Sequence, residues 1–187
     1  MSKRNNNNNK LEQTVREGAF GPKEIKKGEK NRYLGEFEER IIAYLNYNQV
    51  MDKAVYPEIN EMLSLPEAEK LIIRGDIPKN KSKKYIEMAR ENDVRFIRKS
   101  SPEFRGEVSL AVAGKNAVNT KKGKIIDREE KLQKRGLSDN IIKNAGAVLC
   151  KGCWQELMKK APEEKINYRK AGILDRLSGT GCIGCRK

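Results

Sequence analysis

Lys70-Leu-Ile-Ile-Arg-Gly-Asp-Ile-Pro78, with the helix-forming stretch Asn80 to Asn92 behind it, decides the fold class. Leu71, Ile72 and Ile73, cut off by Gly75-Asp76, read as a short buried strand, because β-branched side chains suit a pleated surface and a Gly-Asp pair turns the chain. Pro78 then presets a helix entry. Tyr85, Ile86 and Ala89 mark the apolar stripe of that helix, and Lys81, Lys83, Lys84 and Arg90 keep its solvent face. Downstream, Val94 to Ile97 and Val108 to Ala113 predict two more strands, separated by the turn-prone Ser100-Ser101-Pro102. Upstream, Pro57 opens a helix that carries Ile59, Met62 and Leu63 on one face, closed by Leu65-Pro66. Gln49 to Lys53 predicts a short strand. Phe37, Ile41, Tyr44 and Leu45 fall at i, i+4, i+7 and i+8, which predicts an amphipathic helix; a buried strand over Ile41 to Leu45 is the alternative. Interleaved helices and strands make this an α/β domain, a small layered sandwich over residues 11–118.

The flanks read differently. Residues 1–10 include five consecutive asparagines, residues 5–9, and are expected to form a disordered tail. Leu11 to Ala19 predicts a short helix stopped by Gly21-Pro22, and Lys23 to Lys30 a charged connector. Residues 119–126 are polar and basic, the expected linker. Residues 127–187 predict a helical module: Asp127 to Lys134, a helix capped by Ser138 reaching Asn144, and a pair, Trp154 to Lys160 and Glu163 to Leu177, broken at Ala161-Pro162.

That module holds all four cysteines. Cys150-Lys-Gly-Cys153 and Cys182-Ile-Gly-Cys185 are separated by twenty-eight residues. Two residues between paired cysteines let both sulfurs of a tight turn reach one ion, and Gly152 and Gly184 offer backbone freedom there. The ligand set favours a structural zinc ion, with an iron–sulfur cluster or a redox dithiol as alternatives. Four sulfurs fill a tetrahedral shell and leave no open position for a reacting water, so such an ion braces the fold and catalyses nothing.

Charge points to a partner class. The chain carries 40 Lys and Arg against 26 Asp and Glu, a net +14. Residues 1–120 contribute +5 (23 basic, 18 acidic) and residues 121–187 contribute +9 (17 basic, 8 acidic). A field of that sign attracts phosphate backbones. The candidate contacts are Lys79, Lys81, Lys83 and Lys84 at a helix start, and Lys159, Lys160, Arg169 and Lys170 in the module, with Trp154 and Tyr168 as candidate stacking planes for unpaired bases. Catalysis is poorly supplied: there is no histidine, and no nucleophile elbow or phosphate-cradling glycine loop. Nor does any stretch approach the roughly 18 apolar residues of a membrane helix. Together these features predict a cytoplasmic, non-enzymatic RNA-binding or ribosome-associated factor. The alternative is a protein–protein adaptor that docks a partner through the zinc module.

Over residues 11–118 the chain resembles the YueI-like family of bacterial proteins of undetermined function. The resemblance is carried by Gly21-Pro-Lys-Glu-Ile-Lys26, Arg32-Tyr-Leu-Gly-Glu-Phe-Glu-Glu-Arg40, Gln49-Val50 and Lys83-Lys84-Tyr85-Ile86. A fainter similarity links Ala68 to Asp76, Lys79 to Lys84 and Val94-Arg-Phe96 to the ribosomal-protein family that binds kink-turn RNA, which implies an α/β/α sandwich. Where that family places a Gly and an Asn-Glu pair ahead of its RNA-contacting helix, this chain has Lys53 to Glu58.

Overall fold

The computed structural model describes residues 27–119, 123–172, 175 and 182–185. The expected tail over residues 1–10 and the expected helix Leu11 to Ala19 lie outside the described residues. Helix α1 (Lys27–Arg32) starts within the stretch read as a connector. A 3-10 turn, Glu38–Arg40, leads into strand β1 (Ile41–Asn46). This corrects the amphipathic helix expected from Phe37 to Leu45. Ile41, Ile42, Ala43 and Leu45 are all buried, so both faces of the segment are covered, and a continuous apolar run buried on both faces belongs to a central strand. The next element is also reversed: Gln49 to Lys53, read as a strand, forms helix α2 (Tyr47–Met51). The Asn46 side chain accepts from the Gln49 amide while Gln49 Oε1 accepts from the Asn46 amide, each at 2.9 Å, and this reciprocal cap starts a helix.

From there the expectations hold closely. Helix α3 (Glu58–Leu63) buries Ile59, Met62 and Leu63. Strand β2 (Ala68–Arg74) is followed by helix α4 (Lys79–Glu91), strand β3 (Arg95–Lys99) and strand β4 (Val108–Gly114). Gly75 packs tightly against Ser100: a Cβ there would lie 1.7 Å from Ser100 Oγ and 3.0 Å from its Cβ, so the serine side chain would have to turn away. The segment expected as a linker supplies a fifth strand, β5 (Gly123–Lys124), parallel to β1. The sheet order is β3-β2-β4-β1-β5, with β2 and β3 parallel and β4 antiparallel to both β2 and β1.

One sheet face carries Ile42, Leu45, Leu71, Ile73, Leu110 and Val112 against Ile59, Leu63, Tyr85 and Met88 of the helices. The other carries Ile41, Ile72, Val108, Ala111 and Ala113 beneath Leu34, Tyr33 and Phe104. The first core is the larger and gains from burying more apolar surface. On the second face Glu36 sits between Lys70 at 3.0 Å and Lys99 at 2.8 Å. Burial alone would raise the Glu36 carboxyl, but these two ammonium groups outweigh it and hold the group below the ordinary carboxylate range.

The C-terminal part forms its own small core. Helix α5 (Arg128–Lys134), capped by Asp127, follows the expectation, whereas helix α6 (Asp139–Ile142) stops short of Asn144 and Ser138, though at its N-cap position, makes no side-chain capping bond. Strand β6 (Val148–Leu149) and helix α7 (Lys151–Lys160) come next. The long helix expected over Glu163 to Leu177 is instead a 3-10 helix, Pro162–Asn167, and strand β7 (Arg169–Lys170), parallel to β6. Its expected apolar members Ile173, Leu174 and Leu177 lie outside the described residues. Leu132, Leu137, Ile141, Leu149, Leu157 and Tyr168 make the core. The module is therefore mixed, with a two-stranded sheet.

A buried polar seam joins this unit to the sheet domain. The Asn167 side chain accepts from the Val55 amide and donates to the Val55 carbonyl, both at 2.7 Å, completing a backbone-like pair. Inside the C-terminal unit, Asn167 is backed by Glu164 Oε2, which accepts from it at 2.9 Å and from the buried Arg128 at 2.8 Å; Arg128 also donates to the Ile142 carbonyl at 2.9 Å and to the Tyr168 hydroxyl at 2.7 Å. Among the described residues no helix is long and apolar enough to cross a membrane.

Candidate metal centre

Strand β6 buries Leu149 in the C-terminal core and delivers Cys150 to the N-cap of α7. One turn in, Cys153 is buried, with Leu157 four residues on beneath the same face, so the core fixes the helix rotation that aims Cys153. Cys182 and Cys185 sit at and within a short 3-10 turn, Ile183–Cys185. All four Sγ atoms lie within 4.8 Å of one another. Cys185 Sγ is 3.5 Å from both Cys150 Sγ and Cys153 Sγ.

Those separations test what the cluster can hold. A disulfide needs sulfurs about 2.05 Å apart, and all four cysteines are free. Ligands about 2.3 Å from a tetrahedral metal stand roughly 3.8 Å from each other. The observed spacing is of that kind, so the sulfurs already surround a volume that fits one metal ion. Gly184 is needed for the approach: a Cβ there would fall 2.8 Å from Cys153 Sγ and 3.1 Å from Ile141 Cγ1. Gly152 meets nothing within 4 Å, and neither glycine takes a left-handed backbone. The expected conformational role of the two glycines is thus replaced by a steric role for one.

The electrostatics also favour a cation. The backbone amide of Cys153 brings the Cys150 thiol down to about 7. Burial, then hydrogen bonding within the cluster, pushes Cys153 up, and the contact with Cys150 pushes Cys185 up. Sulfurs this close resist full ionisation without a positive charge among them, and metal binding releases their protons. The amide of Cys150 donates to Cys182 Sγ at 3.3 Å, the kind of outer contact that orients a ligand.

The basic residues meet varied fates. Lys79 is exposed at the first turn of α4, and Lys83 is exposed with Glu87 3.9 Å away. Lys81 is half-buried and donates to the Asp52 carbonyl at 2.9 Å, while Lys84 reaches the Ile166 carbonyl at 3.3 Å. Lys84 thereby links α4 to the C-terminal unit. In that unit Lys159 and Lys170 are exposed, Lys160 pairs with Glu156 at 2.7 Å, and Arg169 forks onto Asp175 at 2.8 and 2.9 Å. Tyr168 is not an exposed stacking plane. It is buried, and its hydroxyl donates to the Ile141 carbonyl at 2.6 Å. Trp154 is half-buried against the C-terminal core.

Two groupings escape sequence reasoning. Arg128, Glu164 and Asn167 look like solvent-facing residues of amphipathic segments, and no local signal marks them as buried. Phe96 is legible as an apolar residue between Arg95 and Arg98, but its exposure follows from β3 standing at the sheet edge.

Residues 8–124 match the family described as "Protein of unknown function (DUF1694)", more than half of the chain. The chain is 29% identical over 110 residues to "Uncharacterized protein YueI" of Bacillus subtilis (strain 168), covering 59% of this chain and 83% of that protein. It is also similar to the crystal structure of the YueI protein from Bacillus subtilis, with a TM-score of 0.52 and 28% identity, over 64% of this chain and 93% of that one. The four cysteines lie beyond the matched family segment.

Proposed function

We propose, on the premise that the chain belongs to the DUF1694 family through residues 8–124 and carries a four-thiolate centre beyond them, that it is a non-enzymatic RNA-binding or ribosome-associated factor whose C-terminal unit is closed by a structural zinc ion. The observation that carries the reading is the surplus of positive charge, 40 basic against 26 acidic residues, heaviest in the part that holds the cysteines. Lys79, Lys83, Lys159 and Lys170 are exposed and available to phosphate. An all-sulfur shell supports zinc as the metal and a bracing role for it. In this reading the ion and the buried Arg128–Glu164 pair fix the C-terminal unit, the Asn167–Val55 contact holds that unit against the sheet domain, and lysines on both parts contact the RNA backbone.

Binding by phosphate contact predicts affinity that falls steeply with salt, because each neutralised phosphate releases counterions. A filter-binding titration of the full chain with total cellular RNA tests this. Retention that weakens progressively between about 50 and 200 mM salt supports the reading. No retention at the lowest salt overturns it.

A further inference from the structure

The proposed RNA-binding role leaves open which state of RNA the protein takes, and a groove between α4 and β3 bears on that. Its walls come from Ile86 and Arg90 of the helix and from Phe96 and Arg98 of the strand, with Lys79 and Lys83 at one end. It encloses about 460 Å³. Strand β3 is the sheet edge, so this side of the domain is open among the described residues. Phe96 is 38% exposed, unusual for a phenyl ring, and the Arg90 guanidinium lies over it at 5.4 Å from the ring centre.

The parts differ in freedom. Arg98 is pinned: its guanidinium donates to the Ile77 carbonyl at 2.9 and 3.0 Å and to Ser82 Oγ at 2.7 Å. It lends a fixed positive charge to the groove wall. Lys79, Lys83 and Arg90 are exposed, and Glu87 is the one acidic residue lining the groove. An occupant complementary to these walls is flat and apolar in its middle and anionic at its margins. Nucleobases stack on aromatic rings and on guanidinium planes, and each base is flanked by phosphates. A paired base presents neither face, since both are covered within the helix stack.

We infer that the α4–β3 groove takes one unpaired base of single-stranded RNA, stacked on Phe96 and Arg90, with the adjoining phosphates held by Lys79 and Lys83. This rests on the RNA-binding reading and narrows it to unpaired segments.

The test uses the full chain and a twelve-nucleotide oligouridylate with 2-aminopurine at its centre, a base whose fluorescence is quenched by stacking. Wild type is expected to quench the probe on binding. Phe96→Leu keeps an apolar side chain at an exposed edge position, so it leaves the fold intact; it should abolish most of the quench and weaken binding about tenfold, the usual order for one lost base–aromatic stack. Lys83→Gln should leave the quench of bound probe in place and make the salt dependence shallower by about 0.7 in log–log slope. The same oligomer annealed to its complement, where the 2-aminopurine is already stacked and dark, should bind less tightly, read by filter retention. If wild type binds the probe and Phe96→Leu quenches it equally, the groove is not the base site, while the wider reading stands. If neither single-stranded nor duplex RNA binds, the wider reading falls and this one with it. Competition by an acidic peptide but not by RNA would reassign the groove to a protein partner and overturn the inference.

Discussion

Arg128→Met should be among the most destabilising single changes available in this chain. The Arg128 side chain is 3% exposed and Glu164 is fully buried, and their contact is 2.8 Å. Methionine fills similar length but removes the donors to Glu164, to the Ile142 carbonyl and to the Tyr168 hydroxyl. The Glu164 carboxylate is then left in the interior with the Asn167 amide at 2.9 Å and Lys131 at 3.6 Å as its remaining support. Breaking a buried pair by deleting one member costs about 3–5 kcal/mol, because the survivor's charge is uncompensated. Lys131 offsets part of this, so the lower end, about 3 kcal/mol, is expected. With a urea m-value of about 2 kcal/mol per molar, the midpoint should fall by about 1.5 M. The single tryptophan, Trp154, lies against the C-terminal core and reports the transition by fluorescence. Pairing the change with Glu164→Gln, which removes the stranded charge, should recover part of the loss. A midpoint shift below about 0.3 M for Arg128→Met, under 1 kcal/mol, would refute the claim that this buried network carries stability.

Three further outcomes are expected. Asn167→Leu removes both bonds to Val55 and leaves that residue's amide and carbonyl without partners inside the protein; a loss of about 2–4 kcal/mol by the same urea assay is expected, and protease cutting between residues 119 and 127 should accelerate. Because the Glu36 carboxyl is held below its unfolded value of about 4.5, its contribution is present above that pH and is lost as pH falls through the folded value; the wild-type urea midpoint should drop below pH 4.5, and Glu36→Gln should be weaker at pH 7 and flatter on acidification. Gly184→Ala should weaken metal binding by about tenfold or more in competition with a chromophoric chelator, whereas Gly152→Ala, in open space, should leave it unchanged.

Local chemistry made the centre of the fold readable. Strand β2, helix α4 and strands β3 and β4 follow from apolar runs of strand length punctuated by Gly75-Asp76 and Pro78. The errors have local causes as well. Ile41 to Leu45 satisfies a helical stripe and a buried strand equally, and what decides between them is β4, more than sixty residues away, pairing with it. Gln49 to Lys53 reads as a short strand on its own, but the reciprocal cap between Asn46 and Gln49 starts a helix there. The cysteine centre was legible because paired thiols at close spacing have few other uses in a chain of this kind, and the convergence of distant pairs is what the structure adds. The buried polar contacts were invisible: Arg128 meets Glu164 and Tyr168 across 36 and 40 residues, and Asn167 meets Val55 across 112. No periodicity of 2 or 3.6 residues encodes contacts of that range.

The proposed closure of the C-terminal unit depends on one ion among Cys150, Cys153, Cys182 and Cys185. Mass-spectrometric metal analysis of the full chain, purified without chelators, is its most direct test. One zinc per chain is expected, falling to none in the Cys182→Ser, Cys185→Ser double variant. A metal-free chain in which all four thiols react readily with a thiol reagent under native conditions would contradict it, and so would zinc retained at full stoichiometry by the double variant.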